Sequence, residues 1–515
     1  MTLRSTAFSL LVALCLSCCA FAQVAVLTQH NDNYRTGQNT GETILTPANV
    51  TTAKFGKLFS QTVDGYVYAQ PLVVPNVNIP GKGTHNVVYV ATEHDTLYAF
   101  DADNKTGGNA SPLWQVSFLN PGAGIGVVTS GDVGCNDLVP EIGITGTPAI
   151  DLSTQTLYLV TKTKDNGQFV HKVHAIDITT GAEKFGGPVA VQATLKGVAF
   201  EPHREAQRAA LLVQNGVVYI AWASHCDIGP YHGWVMAYDA QTLQQKSVWN
   251  STPTGGLGGF WQAGAGIAAD SRDLLYLSSG NGDFDKNFGG SNYGDTIVKL
   301  GFNKAGKLIA KDYFTPHDQK FLQDTDTDLG SGGVLLIPDR PKKKPLLVQV
   351  GKEGTVYVTN RNRMGKFNPN DDSQIIQNLP GAVGGMWGMP AFWNNNVYFG
   401  GVGDNLKAFS FDPVAGLLST TPTSNTGTFF NYPGTTPSIS ANGTTNGIVW
   451  ALQTDHAPEV LHAYDATNLS TELYNSSQNQ TRDNPGTSVK FVVPTVANGK
   501  VYVPAQKLLS VFGLL

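Results

Sequence analysis

Charge is scarce in this sequence. Lys plus Arg number 34 against 39 Asp plus Glu in 515 residues, a net charge of −5, and the only basic run is Lys342 to Lys344. That balance excludes the broad positive surface that nucleic acid or an anionic membrane requires. Cysteine is rarer still. Of five, Cys15, Cys18 and Cys19 fall in the first 22 residues, which leaves Cys135 and Cys226. No C-x-x-C-H is present, so covalent c-type haem is excluded. His94, His225 and His232 match no compact zinc spacing. Long apolar runs are missing too, since AFSLLVALCL near the start is too short for a comfortable membrane span.

That apolar segment has the form of a signal peptide. Arg4 supplies the leading charge, and Ala20, Phe21 and Ala22 fit small-residue cleavage before Gln23. Cys18 and Cys19 sit in a poor lipoprotein context, so residues 1–22 are expected to leave a secreted or periplasmic chain. Two remaining cysteines in an exported protein point to one disulfide, Cys135 to Cys226, with two separate buried thiols as the alternative.

What is abundant is glycine, 57 residues of it, among short β-branched and aromatic runs. One unit recurs eight times: an apolar strand, a polar turn, a second strand, and usually an Asp near its end. Its central residues are Tyr89, Tyr158, Tyr219, Tyr276, Val348, Tyr398, Trp450 and Tyr502, spaced 50 to 72 residues apart. A third apolar segment precedes each unit and a fourth often ends in Trp, as at Trp114 and Trp249. Eight four-stranded antiparallel units predict an all-β, eight-bladed β-propeller over residues 23–515 as a single domain. The last unit lacks an outermost strand, and KFGKLFSQTV (54–63) is placed to supply it and close the ring.

In such a blade, the turn between the middle strands and the lead-in to the innermost strand share one face. The sequence puts its overlong loops there, and binding in a propeller concentrates in such loops. Asp227, Asn281 and Asp326 offer oxygen ligands for a hard cation from three consecutive blades. Trp261 stands in a glycine-rich lead-in, ready to stack on a flat ligand, and Lys352 is the one cation of a tight GKEG turn. Plain alternatives exist for each: turn carboxylates bonding their own backbone, an indole packing on the next blade, a solvated lysine. The run QDTDTDLGSGG (323–333) is not an EF-hand. With Asp324 first, Leu329 and Leu335 stand where the loop needs Gly and Glu, and no helical pattern flanks it.

Several stretches resemble the quinoprotein alcohol and glucose dehydrogenases, a family of eight-bladed propellers that bind pyrroloquinoline quinone and calcium. HCDIGPYHGWVMAYD resembles the loop with an acidic calcium ligand, which implies Asp227. FWQAGAG resembles the segment whose Trp lies under the quinone, which implies Trp261, and SSGNGDFD the segment with the ligand Asn, which implies Asn281. TPHD (315–318), DTDLG and GKEGTVYVTNR resemble the catalytic region, implying Asp326 as base, Asp328 as its companion and Lys352 on the quinone oxygens. The family's adjacent cysteine pair is missing, as are a fused cytochrome and a match for the side chains gripping the quinone carboxylates. The resemblance implies an exported quinoprotein oxidoreductase acting on an alcohol or sugar. The alternative is a cofactor-free scaffold in the periplasm or outside the cell, binding a protein or glycan partner. A hydrolase lacks any Ser-His-Asp or zinc constellation.

Overall fold

The structure, a computed structural model, describes residues 23–515; the expected signal peptide lies outside the described residues. Eight antiparallel sheets form the expected propeller. Blade 1 shows the pattern from inside to outside, with strands Leu72–Ile79, Gly83–Ala91, Thr96–Asp101 and Trp114–Ser117. The second and third strands are buried on both faces because each blade packs between two others, and blade 1 buries Val87 to Ala91 and Leu97 to Phe100 in this way. Blade 8 joins the chain ends. Phe55–Tyr66 pairs antiparallel with Lys500–Leu514, Phe55 opposite Leu514 and Gln61 opposite Leu509.

The recurrent Tyr and Asp have separate tasks. Asp101, Asp177, Asp239 and Asp465 end the third strands of blades 1, 2, 3 and 7, and each accepts a backbone N–H of the turn that follows. The carbonyl just after that Asp accepts a tyrosine hydroxyl from the preceding blade. Tyr89 donates to Ile178 O (2.9 Å), Tyr158 to Ala240 O (2.8 Å), Tyr398 to Ala466 O (2.7 Å) and Tyr502 to Ala102 O (3.2 Å). The last of these crosses the ring closure. A buried hydroxyl left without its acceptor carries a desolvation cost of about 1–3 kcal/mol, so these bonds fix blade spacing as well as adding stability.

The sequence pattern does not disclose what fills the centre. Val26–Asn39 runs around the inner edge of the ring and contacts all eight blades. Val26 pairs with Val73, and the N–H groups of Ile150, Ala269, Leu336, Phe392 and Ile439 donate to the carbonyls of Leu27, Asn33, Tyr34, Thr36 and Gly37. Arg35 reaches Leu211 O in blade 3, and the Asn39 amide reaches Val496 O in blade 8. Left-handed backbone at His30, Asn31, Arg35 and Gly37 bends this ribbon into its arc. Arg35 is fully buried and spends its donors on Thr28 Oγ1 (2.6 Å), Gln29 O (2.7 Å), Ile267 O (3.0 Å) and Leu211 O (3.1 Å). Burial lowers its pKa to about 9, against the pull of Asp32, so it remains charged at neutral pH. Blade 4 passes Arg35 at Gly266, where a Cβ would lie 2.5 Å from the guanidinium carbon.

Arg35→Ala strands these acceptors and is expected to cost on the order of 3–5 kcal/mol in urea unfolding, whereas Tyr158→Phe costs about 1 kcal/mol. Equal losses for the two variants would contradict a central role for the ribbon.

Candidate functional site

The ribbon closes the channel from below, so the mouth of the propeller is a blind cavity. Its floor loop rests on the ribbon through Gln29, whose Oε1 accepts the Gly266 N–H at 3.1 Å. The cavity holds about 300 Å³ and is lined by Asp137, Cys226, Asp227, Trp261, Asp328 and Lys352, with Arg208, Trp387, Tyr432 and Phe491 completing its walls. Cys135 and Cys226, 91 residues apart, are bonded to each other with Cα atoms 5.7 Å apart, tying the lead-in of blade 2 to the long turn of blade 3.

One wall is an ion cluster. Lys352 Nζ lies 2.6 Å from Asp328 Oδ2 and 2.8 Å from Asp326 Oδ1, and donates to Asp326 O at 3.0 Å. Burial alone would lower the lysine pKa, but the two carboxylates outweigh it and raise it, so the ammonium persists. Asp328 Oδ1 accepts the Asn281 backbone N–H at 2.7 Å, and the Asn281 amide donates to Asp326 Oδ1 at 2.8 Å. Asp227, also in the lining, accepts the Tyr231 hydroxyl. Burial, reinforced by Asp328 and Asp326, raises the Asp227 pKa despite that bond.

A ladder of rings and cations begins beside this cluster, where Trp261 and Asp328 both pack against Gly280. The Arg208 guanidinium stands 5.7 Å from the Trp261 ring and 4.7 Å from that of Phe491, and Lys490 stands 5.2 Å from Phe491 and 5.9 Å from Tyr432. Arg208 and Lys490 share one carboxylate, Asp137, each at 3.4 Å. Burial pushes the Asp137 pKa up, and the two cations more than reverse this to bring it down. Trp261 and Tyr231 meet edge to face at 6.2 Å. Backbone strain gathers here as well. Cys226, Asp227, Ala263, Asp326 and Phe491 all have positive φ, and for a residue as bulky as Phe491 (φ 67°) this is a costly conformation held by its surroundings.

The residues singled out from sequence all reach this region, but not in the expected order. Asp227, Trp261, Lys352 and Cys226 line the cavity. Asp326 does not: its side chain is 69% exposed, while Asp328, expected only as the companion of that base, is 5% exposed and lines the cavity. The cause is the short helix Gln319–Asp324, absent from the sequence reading, which turns the chain so that Asp326 faces outward with φ 54°. Asp324 ends that helix and pairs with Lys320 at its surface. Asn281 sits behind Asp326 and Asp328 rather than in the lining.

The proposed calcium set Asp227, Asn281 and Asp326 does not form a cation cage. Calcium takes roughly six to eight converging oxygens. Here Asp326 and Asp328 are held by Lys352, Asp227 by Tyr231, and Asn281 turns its amide nitrogen rather than its oxygen toward Asp326. Among the described residues, the cluster of metal-ligating side chains with donors within 4.8 Å of one another is Cys135, Asp137 and Cys226, whose sulfurs are bonded together. The residues present do not fit a calcium ion.

Several solved structures share the architecture. Quinohemoprotein alcohol dehydrogenase from Comamonas testosteroni matches at a TM-score of 0.63 with 16% identity, over 95% of this chain and 80% of that one. A europium-containing methanol dehydrogenase matches at 0.60 with 15% identity, over 95% and 98%. BamB from Moraxella catarrhalis matches at 0.52 with 12% identity, over 89% and 99%. The chain has the fold of the quinohemoprotein alcohol dehydrogenases. No protein-family pattern matches it, and no curated protein does so either. At such identities the common property is the architecture, so function has to be argued from the cavity. No helix among the described residues is long and apolar enough to cross a membrane.

Sequence reasoning overlooked Arg208, Trp387, Tyr432 and Phe491 as wall residues. All four lie in lead-ins to innermost strands, as PHREAQRAA, GGMWGMP, NYPG and KFVVP, the positions that topology assigns to the mouth. GGMWGMP also repeats the glycine-tryptophan form of GGFWQAG around Trp261.

Behind Arg208 lies Glu93, buried, accepting the Gly143 N–H at 2.7 Å and the Thr145 hydroxyl at 3.0 Å. Burial raises its pKa from 4.5 to about 7. The folded state therefore holds this proton more tightly than the unfolded chain. The stability Glu93 contributes is complete below pH 4.5 and is lost as pH rises through about 7. Glu93→Gln is expected to flatten the fall of the urea midpoint across that window, and parallel profiles for the two proteins would contradict the assignment.

Proposed function

We propose that this protein is an exported oxidoreductase that uses a bound pyrroloquinoline quinone to oxidise an alcohol or a sugar, in the periplasm or outside the cell. The observation that carries the reading is the buried Asp328–Lys352 pair set in one cavity with Trp261 and Arg208. A flat polycarboxylate suits the donors present. Trp261 lines the cavity with a ring and a buried Nε1 that has no partner, and the polar contact of Arg208 is a 3.4 Å approach to Asp137. Trp261, Arg208 and Lys352 would hold such a molecule. When bound, a quinone supplies an acceptor for two electrons and the hydrogen of the carbinol carbon.

The chain's own part is proton transfer and positioning. Asp328 is the general base in this account, in place of Asp326, because it lines the cavity while Asp326 faces solvent. It takes the hydroxyl proton at Oδ2, and the Asn281 N–H on Oδ1 fixes the carboxylate plane. Lys352 holds Oδ2 on the cavity side and supplies the positive charge of this wall. The ribbon beneath keeps water from entering below. The Cys135–Cys226 bond holds the Asp227 turn against the cavity and suits an exported chain. The reading assigns no step to calcium, since the oxygens do not converge.

Purified protein supplied with the quinone, with and without calcium, is expected to reduce a dye in the presence of primary alcohols or aldoses. Asp328→Asn should lower kcat by about 10²–10⁴, and Asp326→Asn by less than about tenfold. Absence of turnover over a broad alcohol and sugar panel would contradict the reading, and a larger loss at Asp326 would reverse the assignment of the base.

A further inference from the structure

The outer part of the cavity carries an observation that the redox reading does not use. Trp387 and Tyr432 stand edge to face at 5.5 Å, and Tyr432 meets Phe491 edge to face at 6.1 Å. These rings come from the lead-ins of blades 6, 7 and 8, so three separate loops converge to present them. Exposure grades outward along the wall. Trp261, Arg208 and Phe491 are 7%, 6% and 9% exposed, Trp387 is partly exposed, and Tyr432 is 47% exposed. Tyr432 thus presents an open ring at the rim of the cavity, beside the partly exposed Trp387. Lys490 and Arg208 lie over the Phe491 ring and brace it from the protein side.

Trp387 is also close to the proposed chemistry. Gly385 packs against the Lys352 backbone so tightly that a Cβ would lie 2.4 Å from Lys352 O, and Ser331 Oγ, beyond Asp328, donates to Met386 O at 2.7 Å. The aromatic wall and the Asp328–Lys352 pair are thus joined by their own backbones.

We propose that Trp387 and Tyr432 form a stacking platform for a ring-bearing alcohol, a molecule presenting a flat apolar face next to its oxidisable hydroxyl. Cyclic sugars and benzylic alcohols share that chemistry, and short linear alcohols lack it. An aromatic face holds the C–H side of a pyranose or the face of an arene, while the same cavity carries the carboxylates of Asp137 and Asp227 as acceptors for ring hydroxyls. The assignment rests on the alcohol-oxidising reading for its hydroxyl but not for the platform itself. Tryptophan fluorescence of the protein without added cofactor measures the platform alone.

Titration with glucose, benzyl alcohol and 1-propanol is expected to give saturable quenching with one or both ring compounds and none with propanol. The arm that saturates identifies the ring type. Trp387→Ala and Tyr432→Ala should weaken that binding roughly tenfold, whereas Tyr432→Phe, which keeps the ring, should retain it. In turnover, the two alanine variants should raise KM for the ring substrate with little change in kcat, lowering the ring-to-linear preference roughly tenfold. Binding without turnover would leave the platform standing and overturn the redox reading. Turnover of linear alcohols with no ring binding, or an equal change for ring and linear substrates in Trp387→Ala, would overturn the platform and leave the redox reading intact.

Discussion

The hydrogen bonds between Val26–Asn39 and the inner edge of the ring govern both the fold and the cavity. Eight innermost strands end at the axis of a propeller with backbone donors facing inward, and buried donors without acceptors are costly. A single extended ribbon answers five of the eight blades with backbone carbonyls, answers blade 1 by mutual pairing, and reaches blades 3 and 8 with side chains. Because the ribbon is continuous, it couples blades that share no side-chain contact across the ring. Phe55–Tyr66 performs the matching task at the rim, pairing with Lys500–Leu514 to join the ends.

The same ribbon gives the mouth a floor. Arg35 requires Gly266 in blade 4, and Gln29 takes the Gly266 N–H, so the loop from Trp261 to Gly266 lies on the ribbon. That places the Trp261 indole at the bottom of a closed volume rather than beside an open channel. In such a volume charges interact strongly. Lys352 persists as a cation because Asp328 and Asp326 face it, and Arg208 and Lys490 hold Asp137 ionised against its burial. The left-handed backbone at Cys226, Asp227 and Phe491 is a cost borne by these walls, and it directs two loops inward.

The blades were legible from sequence because their constraints repeat. A strand buried on both faces needs an apolar run, each turn needs its capping Asp, and each blade-to-blade bond needs its Tyr, so all three recur along the chain. The ribbon was not legible for the opposite reason. The residues of VLTQHNDNYRTGQN serve different blades in turn rather than repeating one task, and Arg35 and His30 are buried without any period to announce them. Within the site, Lys352, Trp261 and Asp227 were legible as unusual residues in loops of known face. The choice between Asp326 and Asp328 was not. Residues two apart lie on the same side only in regular strand, and the helix Gln319–Asp324 breaks that regularity. The expected calcium set does not assemble for a geometric reason: Lys352 and Tyr231 hold Asp326 and Asp227, and Asn281 presents its amide nitrogen to Asp326 rather than its oxygen.

The central claim is that this cavity accepts a flat, anionic quinone against Trp261 and Arg208. Isothermal titration of the purified protein with pyrroloquinoline quinone in calcium-free buffer tests it most directly. The account predicts one saturable site with a dissociation constant near or below ~1 μM, weakened at least roughly tenfold by Arg208→Ala. Absence of saturable heat up to millimolar quinone, or unchanged affinity in Arg208→Ala, would contradict it.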